Sequence, residues 1–465
     1  MKNKNFVTSL YEIGVYVIDI LLIILSIYLA YVVKFSFNIP KFNYDAFVIS
    51  LPAIIIVYLI FMFVYGLGDI LKQSLTEMIY SVFLTVITLL ISTMAISFFL
   101  RAFSYPRTVI VISSIIQFLF LSMWRSIVWK LKRRSHGRKP TIVIGGSNAE
   151  RLAKKLLLKQ LDIYDVKYIC DINSVNLWNY IEECDVVFLS EDANDEFRNR
   201  IIDICIDDRK SLYIIPRIYE IGLISSKLNR VDDVPVLKVK KLGLTIEQRI
   251  LKRTFDIIIS LIGIIIASPI MLFVAIAIKL QDNGSIFYKQ ERVTYGEETF
   301  NIYKFRTMIK DAEKVSGPVI AGEDDPRITK LGKLLRSTRL DELPQLFNVL
   351  AGSMSIVGPR PERPFFVNKF KTEIRDYKYR TLVKAGLTGL AQVLGKYNTT
   401  AEDKVKYDII YIRNYSFLLD LKLIVQTVKI VFMKESTEGL KQEESLEEIL
   451  VDLNVEITVD REHIR

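Results

Sequence analysis

LGKLLRSTRLDELPQLFNVLAGSMSIVGPRPERP, residues 331–364, is the stretch from which the rest of the chain can be read. It opens on a basic face, Lys333, Arg336 and Arg339, and sets Asp341 beside Glu342. It then turns through Gly352, Gly358, Pro359 and Pro361 to another cation, Arg360. Its Leu and Lys/Arg content favours a helix over 333–340, and Pro344 pushes the residue before it out of the α region. The acid pair is therefore expected at a helix end or an irregular turn. Neighbouring helical positions point about 100° apart, so these carboxylates cannot flank a glycosidic bond as a hydrolase's acid and base do. They divide roles instead. One carboxylate can attack phosphorus while its neighbour holds a divalent metal that bridges the phosphate oxygens. In isolation an Asp-Glu pair reads as an ordinary solvated one; acids framed by cations suggest phosphate chemistry.

The run Leu335-Arg336, Leu340-Asp341-Glu342-Leu343-Pro344-Gln345-Leu346, Asn348-Val349-Leu350, Gly352, Met354-Ser355 and Val357-Gly358-Pro359-Arg360-Pro361 resembles the polyprenyl phosphate sugar-1-phosphate transferases. These are the monotopic phosphoglycosyl transferases that begin bacterial capsule, exopolysaccharide and O-antigen assembly. Flanking motifs agree: Lys252-Arg253 with Phe255-Asp256 and Ser268-Pro269; Lys304-Phe305-Arg306-Thr307-Met308; Asp325-Pro326-Arg327-Ile328-Thr329; and Gly386-Leu387-Thr388-Gly389 with Gln392. The resemblance implies a catalytic domain over 247–435, fed by a UDP-sugar and undecaprenyl phosphate. Asp341 would attack the sugar-bearing phosphate, UMP would leave, and the lipid phosphate would displace the covalently held phosphosugar. Glu342 would ligate Mg²⁺, and Lys304, Arg306, Arg327 and Arg360 would meet phosphate oxygens. Glucose or galactose is preferred by resemblance alone. Two rivals stand beside this reading: a glycosyl transferase that releases UDP, and a membrane scaffold or sensor of polysaccharide assembly without activity.

Composition sets the outer bounds. With 465 residues, 51% of them hydrophobic, the chain reads as a membrane protein of more than one domain. Its net charge of +10 fits cytoplasmic loops, anionic lipid and phosphorylated substrates. No basic helix with interleaved stacking aromatics argues for nucleic acid. Cys170, Cys184 and Cys205, odd in number and widely spaced, read as reduced thiols rather than a disulfide framework. His136 and His463 stand apart from any acid or cysteine cluster, which disfavours zinc and histidine triads.

From the start of the chain, apolar runs at 11–33, 47–65, 79–100 and 109–129 predict four transmembrane helices within 1–133. Lys130, Lys132, Arg133 and Arg134 after the fourth, and Lys2 and Lys4 before the first, place both ends in the cytoplasm, and the resemblance implies that the membrane is the bacterial inner membrane. Arg101 and Arg107, in an outside loop, pull the other way. Over 134–240, β-branched runs at 141–144, 185–189 and 211–215 predict parallel strands of a small Rossmann-like α/β domain. Gly145-Gly146-Ser147 lacks the dinucleotide spacing, so a structural or regulatory module is expected there. The fold class is thus a four-helix membrane region, an α/β domain, and a mixed α+β catalytic domain. The helices and the α/β module offer surfaces for a homodimer.

The apolar run 257–278 is long enough to span, yet Lys252 and Arg253 precede it and Lys279, Lys289 and Arg292 follow, a cytoplasmic signature on both sides. Ser268-Pro269 lies near its middle, where proline kinks a helix. A re-entrant hairpin over 252–280 is expected, against a kinked spanning helix. Next, 287–292 and 300–306 alternate as paired strands that project Lys304 and Arg306 from one face. The family usually has glycines near Thr294 and Glu297, so the shape of that turn is open. Asp325 and Arg327 either serve a phosphate or metal site or cap the helix starting near Lys330. Residues 386–389 read as a turn, 417–432 as an amphipathic surface helix, and 436–465 as an acidic tail in which 449–459 has strand character.

Overall fold

Leucine- and isoleucine-rich runs near the start fold into α1 (Lys2–Phe35), α2 (Lys41–Val64), α3 (Leu75–Phe99) and α4 (Arg107–His136) in the computed structural model. It describes residues 2–70, 73–100, 104–224, 226–309, 325–396, 399–431, 445–453 and 455–460; Arg101 and His463 lie outside them. These helices and one later helix are long and apolar enough to cross a membrane. The basic cluster expected after the fourth helix is its last turns, because Lys and Arg are good helix formers. Ser74 and Glu77 cap α3 reciprocally. One ion pair is buried in the bundle: Arg125 of α4 grips Asp19 of α1 and donates Nη1–H to the Leu67 carbonyl at 2.7 Å. Both residues are almost fully buried, so each charge is matched by the other.

The chain forms two compact units, the first combining Met1–Ile215 with Glu444–Arg465, the second Pro216–Glu443. In the first, β1 (Lys139–Ile144), α5 (Ser147–Gln160), β2 (Tyr164–Cys170), α6 (Leu177–Glu182), β3 (Val186–Leu189), α7 (Asp195–Asp207) and β4 (Ser211–Ile214) alternate. The strands are parallel, with β1 between β2 and β3 and with β4 outside β3. The β2 strand, broken by Asp165 and Lys167, was not apparent from sequence. The acidic tail supplies a fifth strand, Thr458–Asp460, parallel to β2, and a helix, Leu446–Leu453, whose Leu446 and Ile449 join the core under α5. The three cysteines are free and buried.

The second unit begins with α8 (Ile218–Ile224) and an exposed antiparallel ribbon, β5 (Lys227–Val231) and β6 (Val234–Lys238). There follow α9 (Ile246–Asp282), β7 (Phe287–Val293), β8 (Thr299–Phe305), α10 (Lys330–Ser337), a 3₁₀ turn (Leu340–Glu342), α11 (Gln345–Ala351) and β9 (Ser355–Val357). Then come α12 (Pro364–Glu373), a second 3₁₀ turn (Tyr377–Leu382), β10 (Gly386–Thr388), α13 (Leu390–Leu394), α14 (Ala401–Arg413) and α15 (Phe417–Val431).

The expected hairpin is one helical run, α9, with Pro269 inside it. Proline has no N–H for the carbonyl four residues back, and the Ser268 hydroxyl donates to that same carbonyl, Ile265 O, at 2.8 Å. Both sides of Pro269 are anchored in the unit's core. Before it, Lys252 donates to Asp420 at 2.6 Å, Arg253 caps the Val349 and Leu350 carbonyls at 2.7 Å each, and Asp256 accepts from Ile356 N at 2.9 Å. After it, Met271, Val274 and Ile278 pack with Phe305 and Leu335. Between these anchors the apolar face through Ile265, Ile266, Leu272 and Phe273 is exposed.

Residues 386–388, expected as a turn, form a strand paired with β9. Glycine is needed there because the backbones nearly touch: a Cβ on Gly386 would lie 2.1 Å from the Gly358 nitrogen. Glu297 takes a left-handed φ of 67°, a conformation glycine adopts without cost and the one the family's glycine would favour. The amphipathic α15 buries Asp420 and Leu423 against the core.

Candidate active site

The acid pair sits on a single 3₁₀ turn between α10 and α11. Thr329 caps α10, its Oγ1 accepting from Gly332 N at 2.9 Å, and Arg339 ends that segment in a left-handed conformation, φ 57°. This reversal at a residue other than glycine stores backbone strain next to the acids. On the far side, Asn348 of α11 mimics a strand partner of β8: its Oδ1 accepts from Tyr303 N at 2.9 Å and its Nδ2 donates to Asn301 O at 2.8 Å. That clamp brings Lys304, the next residue on β8, up to the turn.

Lys304 donates to Glu342 Oε1 at 2.7 Å, and Arg360 Nη2 donates to the same oxygen at 3.3 Å. Burial alone would raise the Glu342 carboxyl. The fields of Lys304, Arg360 and Arg339, with the Lys304 hydrogen bond, outweigh it and hold Glu342 well below the carboxylate range. Asp341 goes the other way. It is 9% exposed, and burial followed by the charge of Glu342 pushes its carboxyl up to about 6, against the opposing pull of Lys304, Arg339 and Arg336. Its Oδ1 is buried with no hydrogen-bond partner. Adjacent carboxylates driven apart in this way are suited to different tasks.

Four of the residues singled out in the sequence therefore converge: Asp341, Glu342, Lys304 and Arg360. Arg306 does not join them. It lies just past the end of β8 and pairs with Asp282 at the end of α9, so the two cations serve different acids rather than one phosphate-facing surface. Arg327 folds back on Asp325, Nε to Oδ1 at 2.8 Å, which holds the Asp325 carboxyl down at about 2; neither residue caps α10. Ser268 and Pro269 lie within the exposed stretch of α9. Asn348, Arg380 and Asp408, which shape the site from further along the chain, were given no role from sequence, because only the folded chain brings them near it. Arg336 and Arg339 were visible as a basic face.

A divalent cation can be tested against this donor set. Among the described residues no group of three or more acids, histidines or cysteines clusters. Mg²⁺, however, is commonly held by one or two carboxylates plus substrate phosphates. Glu342, held ionised beside the unpartnered Asp341 Oδ1, supplies that minimum, so the residues fit.

A dyad of unlike carboxylates clamped by cations thus shares a compact unit with a long helix whose apolar face is exposed. Residues 247–434 match the bacterial sugar transferase family, and the chain belongs to that family. It is 39% identical over 198 residues to the exopolysaccharide production protein PSS of Rhizobium leguminosarum bv. phaseoli, covering 41% of this chain and 97% of that relative. It is 40% identical over 229 residues to a UDP-N-acetylgalactosamine-undecaprenyl-phosphate N-acetylgalactosaminephosphotransferase of Aeromonas hydrophila, covering 48% and 54% of the two chains. A UDP-glucose:undecaprenyl-phosphate glucose-1-phosphate transferase of Klebsiella pneumoniae is 38% identical over 237 residues, 50% of each chain. The chain thus spans about half the length of these last two relatives.

Proposed function

We propose that this chain transfers a sugar-1-phosphate from a UDP-sugar to undecaprenyl phosphate, releasing UMP, as the opening step of capsular or exopolysaccharide assembly. The observation that carries this reading is the unpartnered, buried Asp341 Oδ1 next to a Glu342 held ionised by Lys304 and Arg360. Asp341 Oδ1 bonds to the sugar-bearing phosphorus as the bond from that phosphorus to UMP breaks. An oxygen of undecaprenyl phosphate then attacks the same phosphorus, and the Asp341 carboxylate leaves. Lys304 and Arg360 hold Glu342 charged and meet the donor's phosphate oxygens. Mg²⁺, held by Glu342 and those oxygens, would supply neutralisation of the charge between the attacking anion and the phosphate.

In this reading the four N-terminal helices span the inner membrane, and α9 enters and leaves its cytoplasmic leaflet. Support comes from the charges flanking α9, from Ser268 covering the carbonyl that Pro269 leaves bare, and from the burial of both arms in one core. The parallel α/β module is structural or regulatory. Glu191 and Asp192, beside Asn148 and Gly146, put negative charge where a phosphate would have to sit. The sugar is tested directly. The full chain is offered UDP-glucose, UDP-galactose or UDP-N-acetylgalactosamine with undecaprenyl phosphate and Mg²⁺, and the released nucleotide is identified. Release of UMP with one sugar supports the proposal; release of UDP contradicts it.

A further inference from the structure

We infer that Arg380 is a positioning residue of this site, setting the placement of Arg360 by holding its backbone carbonyl. The inference rests on the reading of Arg360 as a phosphate contact. Hydrogen bonds on both sides of Arg360 fix the loop that carries it; beyond it, Val293 N donates to Glu362 O at 3.0 Å and Arg292 Nη1 to Pro361 O at 3.2 Å. Gly358 N donates to Thr388 O at 2.8 Å and Gly386 N donates to Pro359 O at 2.9 Å, both between backbones. The carbonyl of Arg360 itself accepts from a side chain, Arg380 Nη2, at 3.0 Å.

The Arg380 guanidinium is itself locked. Its Nε donates to Asp408 Oδ2 at 2.6 Å and its Nη1 to the Tyr377 hydroxyl at 2.6 Å. Asp408 is 1% exposed and Arg380 8%, so the fork is rigid and shielded from water. Neither Arg380 nor Asp408 touches the dyad in this arrangement; the connection runs through the Arg360 backbone to the guanidinium at Glu342 Oε1. A cavity of about 20 Å³, room for about one water, is lined by Thr294, Pro359, Arg360, Glu362, Tyr377 and Arg380. Lysine cannot replace the fork, because one ammonium on a flexible stem does not reach three partners in fixed directions.

The test is a double-mutant cycle on the full-length protein in lipid nanodiscs, with UDP as the probe because it carries the pyrophosphate that Arg360 would meet. Affinity is measured calorimetrically for the wild type, Arg360→Gln, Arg380→Lys and the double variant. Arg380→Lys is expected to weaken UDP binding about tenfold in the wild-type background and less than twofold in the Arg360→Gln background. Equal weakening in both backgrounds would mean a merely structural role and overturn the inference, as would unchanged affinity in the single variant. Tyr377→Phe, which removes one contact of the fork without stranding Asp408, gives an independent reading if the lysine variant misfolds. It is expected to show the same background dependence at smaller size, and equal weakening in both backgrounds would again overturn the inference. Because the cycle reads affinity, it stands apart from the identity of the released nucleotide, which alone tests the transfer reaction.

Discussion

Asp341 carries the strongest chemical signal at the scale of single residues, and its acidity makes two predictions. Its carboxyl is raised to about 6 from 3.8 by burial and by Glu342. Between those values the folded chain keeps a proton that the unfolded chain has released. The stability this contributes is complete below pH 3.8 and is lost as pH rises through about 6, to a limit of about 3 kcal/mol. Asp341→Asn should therefore melt at a higher temperature than the wild type at pH 7.5 and match it more closely at pH 4.5, read by thermal denaturation in detergent; a variant equally or less stable at pH 7.5 would contradict the raised carboxyl. As the nucleophile must be ionised, UMP release should fall at acid pH as Asp341 takes up its proton, on a limb that Mg²⁺ beside Glu342 would set below the metal-free value. Lys304→Gln removes a cation that lowers Asp341, so that limb should move to higher pH, and an unmoved limb would contradict the placement of Lys304. The four converging residues were legible because each sits in a dense local motif. The destinations of Arg306 and Arg327 were not, since they depend on where Asp282 and Asp325 end up once α9 and the segment before α10 have folded.

Two elements carry the architecture. In α9, Pro269 removes a donor and the Ser268 hydroxyl supplies one to the same carbonyl, so the exposed face carries no bare carbonyl there. Cysteines placed at Glu247 and Ser285, both exposed, report the path of the helix, because the three native cysteines are buried. A membrane-impermeant maleimide should label both from the same side of sealed vesicles. Labelling from opposite sides would contradict the re-entrant reading. Pro269→Ala, by restoring the N–H, should straighten the helix and remove Ser285→Cys from that side. The length, flanks and proline of α9 were readable in the sequence, but its continuity as one helical run was not, because a serine hydroxyl can substitute for the missing hydrogen bond. The C-terminal strand Thr458–Asp460 was legible only as strand character over 449–459, of which 449–453 is helical instead, and its partner β2 lies almost three hundred positions earlier. Deleting residues from 445 onward should strip the edge of β2 and hasten proteolysis of the α/β unit while UMP release persists; loss of turnover with an intact α/β unit would contradict this division.

At the scale of the whole molecule, the family match and the candidate site both lie in the second compact unit. The Rhizobium relative, matched over 97% of its length by 198 residues, lacks room for the helices and α/β module that precede that unit here. A fragment of 216–443, which keeps Ile221 of α8 in the core with Val405 and Ile409, should release UMP on its own in nanodiscs. The catalytic claim itself is tested most directly by intact mass. Full-length protein is incubated with the UDP-sugar that supports turnover and Mg²⁺, without undecaprenyl phosphate, then quenched in acid. The wild type should gain the mass of one hexose phosphate, and Asp341→Asn should not. An unmodified wild type, or equal labelling of both proteins, would contradict an aspartyl intermediate.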